Sequence, residues 1–124
     1  MYLLDSNIII GFLNGDTKIG NWIFAAKERK EFLLISIMSK IEVMSLEKLT
    51  ERQIEEIKRF LDSFHPIGLN DEVVALAAAI RRKKKASLGD AVVLASAIHA
   101  HATLVTNDKQ FFKKATPFVN TISV

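Results

Sequence analysis

The sequence predicts an α/β fold, a three-layer α/β/α sandwich around a mainly parallel central sheet. Three observations carry that prediction. Short continuous apolar runs, Tyr2-Leu3-Leu4, Phe32-Leu33-Leu34-Ile35-Ser36 and Thr103-Leu104-Val105-Thr106, alternate with longer stretches of helical periodicity. Runs of that kind suit strands covered on both faces, the condition of a parallel sheet. The 124 residues are 49% apolar and 25% charged, an ordinary globular balance. No repeat, linker or low-complexity tract divides them, so one domain spanning residues 1–124 is expected.

Taken in order, Tyr2 to Leu4 forms a buried strand that ends at Asp5. Residues 7–14 form a helix, stopped by Asn14-Gly15. Asp16 caps a second helix running to about Lys30, with Ile19, Ile23, Ala26 and Lys27 at helical spacing. Phe32 to Ser36 is the next buried strand, and a helix follows from Ser39 to Leu49. Thr50-x-x-Gln53 has the form of a capping box and opens a helix with Ile54, Ile57, Leu61 and Phe64 on one face. His65-Pro66 breaks that helix, and Pro66 to Leu69 is a short strand or extended link. Asn70 caps a helix from about Asp71 to Lys84, and Ser87 opens another through Ala100. Thr103 to Thr106 is a strand, Asp108 to Lys114 a short helix, and Phe118 to Val124 a last strand.

Several chemistries are excluded at once. The chain has no cysteine, so a disulfide framework, a thiolate zinc site and a Cys nucleophile are all ruled out. The longest apolar run at the start, Ile8 to Leu13, falls far short of the ~20 residues a membrane span needs. Asp5 and Asn7 stand before it and no basic segment does, so neither a signal peptide nor a membrane association is expected, and the cytoplasm is the expected compartment.

Charge is unevenly placed. Residues 1–80 carry 9 basic and 12 acidic side chains, and residues 81–124 carry 8 basic and 2 acidic. Arg81-Arg82-Lys83-Lys84-Lys85, with Lys109, Lys113 and Lys114, make up the excess. A basic half invites a polyanion. The plainer explanation is a solvated helix end, since Lys and Arg favour helix C-termini.

Four acids stand apart from those on polar helix faces: Asp5, Glu42, Asp90 and Asp108. Asp5 ends the first strand, and Asp108 follows the strand 103–106 by two residues. Glu42 and Asp90 are expected in the first turns of their helices. Each has a local explanation. Ser39-x-x-Glu42 and Ser87-x-x-Asp90 have capping-box form, Asn107 or Asp108 could cap the last helix, and Asp5 could cap the first. Against this, Asp90 shares a stripe with the apolar Val93, Leu94, Ala97 and Ile98, and Glu42 shares one with Met38, Ser45, Leu46 and Leu49. An ionised carboxylate pointing inward is costly unless something positive meets it. In a parallel sheet, strand ends and the starts of the following helices also line one crevice. Carboxylates gathered there repel, and a hard divalent cation relieves the repulsion. An oxygen-only donor set selects Mg²⁺ or Mn²⁺. One ion or two would serve, and two could stabilise the attacking and leaving oxygens of phosphodiester hydrolysis.

Leu3-Leu4-Asp5-Ser6-Asn7, Ile41-Glu42, Leu88-Gly89-Asp90-Ala91 with Leu94-Ala95-Ser96-Ala97, and Leu104-Val105-Thr106-Asn107-Asp108 together resemble the PIN-domain ribonucleases. The resemblance covers the whole chain and extends to the VapC-type toxins of toxin–antitoxin pairs. It implies a metal-dependent endoribonuclease with Asp5, Glu42, Asp90 and Asp108 as the catalytic, metal-holding acids and Mg²⁺ or Mn²⁺ as cofactor. It places Asn7 and Thr106 as polar support, with Ser6 a weaker candidate for the same role. It also implies a homodimer, a small antitoxin that blocks the site, and a structured RNA substrate of the tRNA or ribosomal RNA class. Arg81, Arg82, Lys83, Lys84 and Lys85 would then contact RNA phosphates, contributing affinity and not sequence choice.

Two other classes remain open at this point: a non-catalytic RNA- or protein-binding module on the same fold, and an Asp-nucleophile phosphatase. The phosphatase would want Asp-x-Asp after the first strand, and position 7 is Asn. His65, His99 and His101 offer no metal pair, because His99 and His101 lie two apart on a helix and face different ways. Trp22 and Phe24 could stack a base or serve as core or interface. Phe111 and Phe112 are expected to pack, and Gly89 to relieve crowding beside Asp90.

Overall fold

The computed structural model describes residues 1–84 and 86–124, and of Lys84 the backbone only. Among the described residues five strands form one parallel sheet: β1 Tyr2–Leu4, β2 Leu33–Ser36, β3 His65–Ile67, β4 Thr103–Thr106 and β5 Thr121–Ser123. The helices between them are α1 Ser6–Leu13, α2 Thr17–Glu28, α3 Ile37–Met44, α4 Glu51–Leu61, α5 Asp71–Lys84, α6 Leu88–His99 and α7 Lys109–Ala115. The strand order is β3-β2-β1-β4-β5, and every paired neighbour runs parallel.

Alternation along the strands builds the three layers. Leu3, Leu34 and Leu104 point to one face, where Val73, Ala77 and Ile80 of α5, the apolar side of α6, and Phe111 and Ala115 of α7 cover them. Leu4, Leu33, Ile35 and Val105 point to the other. Ile8 and Ile9 of α1, Ile19, Ile23 and Ala26 of α2, Val43 of α3, and Ile57 and Leu61 of α4 close that face. Covering both faces explains why the strands lack any polar alternation in sequence.

Several boundaries differ from those expected. α1 begins at Ser6, one residue early. α2 stops at Glu28, and Lys30 takes a left-handed φ of 59° just beyond. The largest difference is α3, expected from Ser39 to Leu49 and found from Ile37 to Met44. Its cap is Ser36, whose Oγ accepts the Met38 amide at 3.1 Å. The Ser39-x-x-Glu42 box does not form, and the Ser39 hydroxyl is buried without a partner among the described residues. Pairing of β2 with β3 through Ser36 and Ile67 fixes where the chain turns, and the helix starts there. The Thr50–Gln53 capping box does form, with both reciprocal hydrogen bonds, at 2.9 and 3.1 Å.

Among the described residues no helix is long and apolar enough to cross a membrane.

Candidate active site

β1 lies at the centre of the sheet, and the chain crosses from β1 to β2 and β3 on one side and to β4 and β5 on the other. The strand order therefore reverses between β1 and β4. In open parallel sheets the crevice for ligands opens at that point, beyond the carboxyl ends of the strands. Asp5 follows β1 there and Asp108 follows β4.

Asp5 is the N-terminal cap residue of α1, yet its side chain caps nothing. Its carboxylate is left for the crevice. The group is 7% exposed. Burial raises its pKa to about 6, opposed by hydrogen bonds from the Thr106 side chain and the Ser6 backbone and reinforced by the negative charges of Glu42 and Asp90. Asp5 thus feels two of the other acids, although they lie 37 and 85 positions along the chain.

Thr106 joins the fourth acid to the first. Its buried hydroxyl donates to Asp5 Oδ2 at 3.0 Å and accepts the Asp108 amide at 3.1 Å. Asp108 itself behaves as a cap, its Oδ1 accepting from the Gln110 and Phe111 amides at 2.9 and 3.1 Å. The local explanation of Asp108 therefore holds for that oxygen. Asp90 sits half-buried in the first turn of α6. The Ser87 hydroxyl accepts the Asp90 amide at 3.1 Å, and among the described hydrogen bonds of α6 the Asp90 carboxylate makes no return bond to the cap.

Glu42 departs from expectation. It lies in the second turn of α3, not the first, and is exposed. It reaches back to the crevice through Ser6, whose buried hydroxyl donates to Glu42 Oε2 at 3.3 Å. Its other oxygen lies against Gly89, 3.7 Å from where a Cβ would stand, beside Met38 at 3.6 Å. Those are ordinary contact distances, so Gly89 relieves little crowding. Ser6, the weaker candidate from the sequence, makes a hydrogen bond within the site. Asn7, one residue on and rotated about 100° around the helix, is exposed and has no hydrogen bond among the described residues.

No Lys or Arg lies within ion-pair distance of the four acids among the described residues. Nor do any three of them stand within common reach of one ion there. The links are hydroxyl-mediated, from the Glu42 carboxylate to Ser6 and from the Asp108 backbone amide through Thr106 to Asp5. Mg²⁺ dehydrates reluctantly and takes one or two carboxylates with several waters. An oxygen-only, partly buried and mutually repelling donor set fits such an ion without a closed cage.

Arg81, Arg82 and Lys83 are exposed at the end of α5. Lys84's side chain and Lys85 lie outside the described residues. His99 stands at the far end of α6 from Asp90, with Nδ1 3.1 Å from Glu72 and Nε2 3.2 Å from Asn70 Nδ2. It is tied to the start of α5 and not to the acids. Trp22 packs edge-on against Tyr2, with ring centroids 5.1 Å apart, while Phe24 is exposed.

Among solved structures, the chain is similar to a toxin–antitoxin complex from Klebsiella pneumoniae, at 26% identity over 100% of both chains with a TM-score of 0.82. VapBC2 from Rickettsia felis, bound to a DNA fragment from its promoter, is 23% identical over 99% of this chain and 98% of that one, with a TM-score of 0.82. DNA-bound VapBC from Salmonella typhimurium shares the fold at 18% identity, over 98% of this chain and 96% of that one, again with a TM-score of 0.82. No curated protein matches the sequence. The PIN domain family model matches residues 2–117, nearly the whole chain and all four acids, and the chain belongs to the PIN domain family.

Proposed function

We propose that this chain is a metal-dependent endoribonuclease and the toxin of a type II toxin–antitoxin pair. The observation that carries the reading is Asp5. It is a buried carboxylate at the switch point of a parallel sheet, raised to about 6 by burial and by Glu42 and Asp90. Maintaining such a group has a stability cost, and functional sites are where such costs are met.

Asp5, Glu42, Asp90 and Asp108 would hold Mg²⁺ or Mn²⁺, as one ion or two. Bound there, the cation supplies the positive charge that admits a phosphodiester to an acidic crevice and stabilises charge developing in its hydrolysis. The chain's own side chains do the rest. Thr106 orients Asp5, Ser6 turns Glu42 inward, and Asn7 offers a free amide at the rim. Arg81, Arg82 and Lys83 attract the phosphate backbone of an RNA of the tRNA or ribosomal class.

Partners follow the same reading. The Klebsiella pneumoniae neighbour is a toxin–antitoxin complex, which supports an antitoxin for this chain. Leu69, Val74 and Leu88 are exposed apolar side chains that line one groove with Met38 and Arg81. A surface of that kind suits a protein contact, here a homodimer. A cytoplasmic site of action completes the proposal.

The test is cleavage of RNA by the purified chain with Mg²⁺ or Mn²⁺. Cleavage that stops on adding EDTA supports the proposal. The absence of any three-acid cluster among the described residues favours a second reading, a non-catalytic RNA- or protein-binding module. Such a module would bind without cutting and ignore both Mn²⁺ and EDTA.

A further inference from the structure

Two buried serines outside the acidic cluster join the two helices that carry part of it. Ser36 ends β2 and caps α3, and Ser96 lies on α6 six residues after Asp90. Both are fully buried. Ser36 Oγ accepts the Met38 amide at 3.1 Å. Ser96 Oγ lies 2.7 Å from the Val92 carbonyl and 3.5 Å from Ser36 Oγ.

A hydroxyl has one proton to give. The Val92 carbonyl can only accept, so it takes the Ser96 proton, and Ser36 supplies the proton between the two hydroxyls. The relay runs from the α3 amide through both serines to the α6 carbonyl. No hydroxyl in it is left unpaired, as burial demands.

This contact and the acids belong to one seam. Glu42 lies six residues after Ser36 on α3, and its Oε1 stands against Gly89, the neighbour of Asp90 on α6. Interdigitated apolar side chains pack the two helices, and the hydroxyl contact adds a directional link between them at one register. We propose that Ser36 and Ser96 are positioning residues, whose hydroxyl contact sets α6 against α3 and so fixes the spacing of Glu42 and Asp90 on which cation binding depends. The inference rests on the reading of the four acids as a cation site.

The test is Mn²⁺ binding to the folded full chain by titration calorimetry, with thermal unfolding alongside, readouts independent of cleavage. Ser96→Ala should raise the half-saturating Mn²⁺ concentration by roughly tenfold, the low end for groups outside the direct ligands. Ser96→Cys keeps a weak donor on a larger atom and should fall between, and it stands in if Ser96→Ala does not fold. Ser39→Ala deletes a buried hydroxyl on the same helix but outside the relay, and should leave the half-saturation point at the wild-type value. A Ser96→Ala or Ser96→Cys chain with a lowered metal-free Tm and an unchanged half-saturation point would show a merely structural link and overturn the relay alone. A wild-type chain whose Tm ignores Mn²⁺ would overturn the cation site and the relay with it.

Discussion

Thr106 Oγ1 donates a 3.0 Å hydrogen bond to Asp5 Oδ2 across a separation of 101 residues. The Asp108 amide occupies the acceptor side of the same hydroxyl at 3.1 Å, which directs its proton at Asp5. One oxygen of Asp5 is thus held by the fold, and the ionised form gains a hydrogen bond beside that from the Ser6 backbone. Thr106→Val keeps the shape and removes the donor. It should push the Asp5 pKa further above about 6 and destabilise the folded chain at pH 7 by ~1–3 kcal/mol. A pH–rate profile should show the acid limb displaced to higher pH.

Asp5 also makes stability depend on pH in a definite direction. Its pKa is raised from 3.8 to about 6 on folding. The stability linked to its proton is therefore fully present below pH 3.8 and lost as pH rises through about 6. The shift corresponds to ~3 kcal/mol. In metal-free buffer Asp5→Asn should be more stable than wild type at pH 7 by ~1–3 kcal/mol, with the gap closing toward pH 4. Urea unfolding at pH 4, 5, 6 and 7 measures it.

Away from the site, stability and activity should separate. The Thr50–Gln53 box caps α4 on the exposed surface. Thr50→Ala should cost ~1 kcal/mol and leave RNA cleavage unchanged, as denaturant midpoints and a cleavage assay would show.

The basic end of α5 should act through salt. Replacing Arg81, Arg82 and Lys83 with Ala removes three exposed charges. The slope of log affinity for single-stranded RNA against log salt should become shallower by about 2. The bond that is cut should not change, since phosphate contacts do not read sequence.

Much of this was legible because the strands are buried on both faces. Leu3-Leu4, Leu33-Leu34-Ile35 and Leu104-Val105 announce a parallel sheet by lacking alternation, and the sheet places Asp5 and Asp108 at its switch point. Helix starts were less legible. Ser39-x-x-Glu42 and Thr50-x-x-Gln53 carry the same local signal, yet only the second is a box. Strand pairing through Ser36 decided the first, and no local pattern reports that pairing. The same shift moved Glu42 to the second turn of α3. Starting α1 at Ser6 turned Ser6 inward and Asn7 outward, which spacing alone could not tell. The Ser36–Ser96 contact joins positions 60 apart and leaves no local sequence signature.

The most direct measurement is RNA cleavage by purified Asp90→Asn with Mg²⁺ or Mn²⁺ present. Among the described residues the carboxylate makes no cap hydrogen bond, so the variant should fold with a Tm at or above that of wild type while cleavage falls by about a hundredfold or more. A folded Asp90→Asn chain that cuts RNA at the wild-type rate would contradict the acidic site.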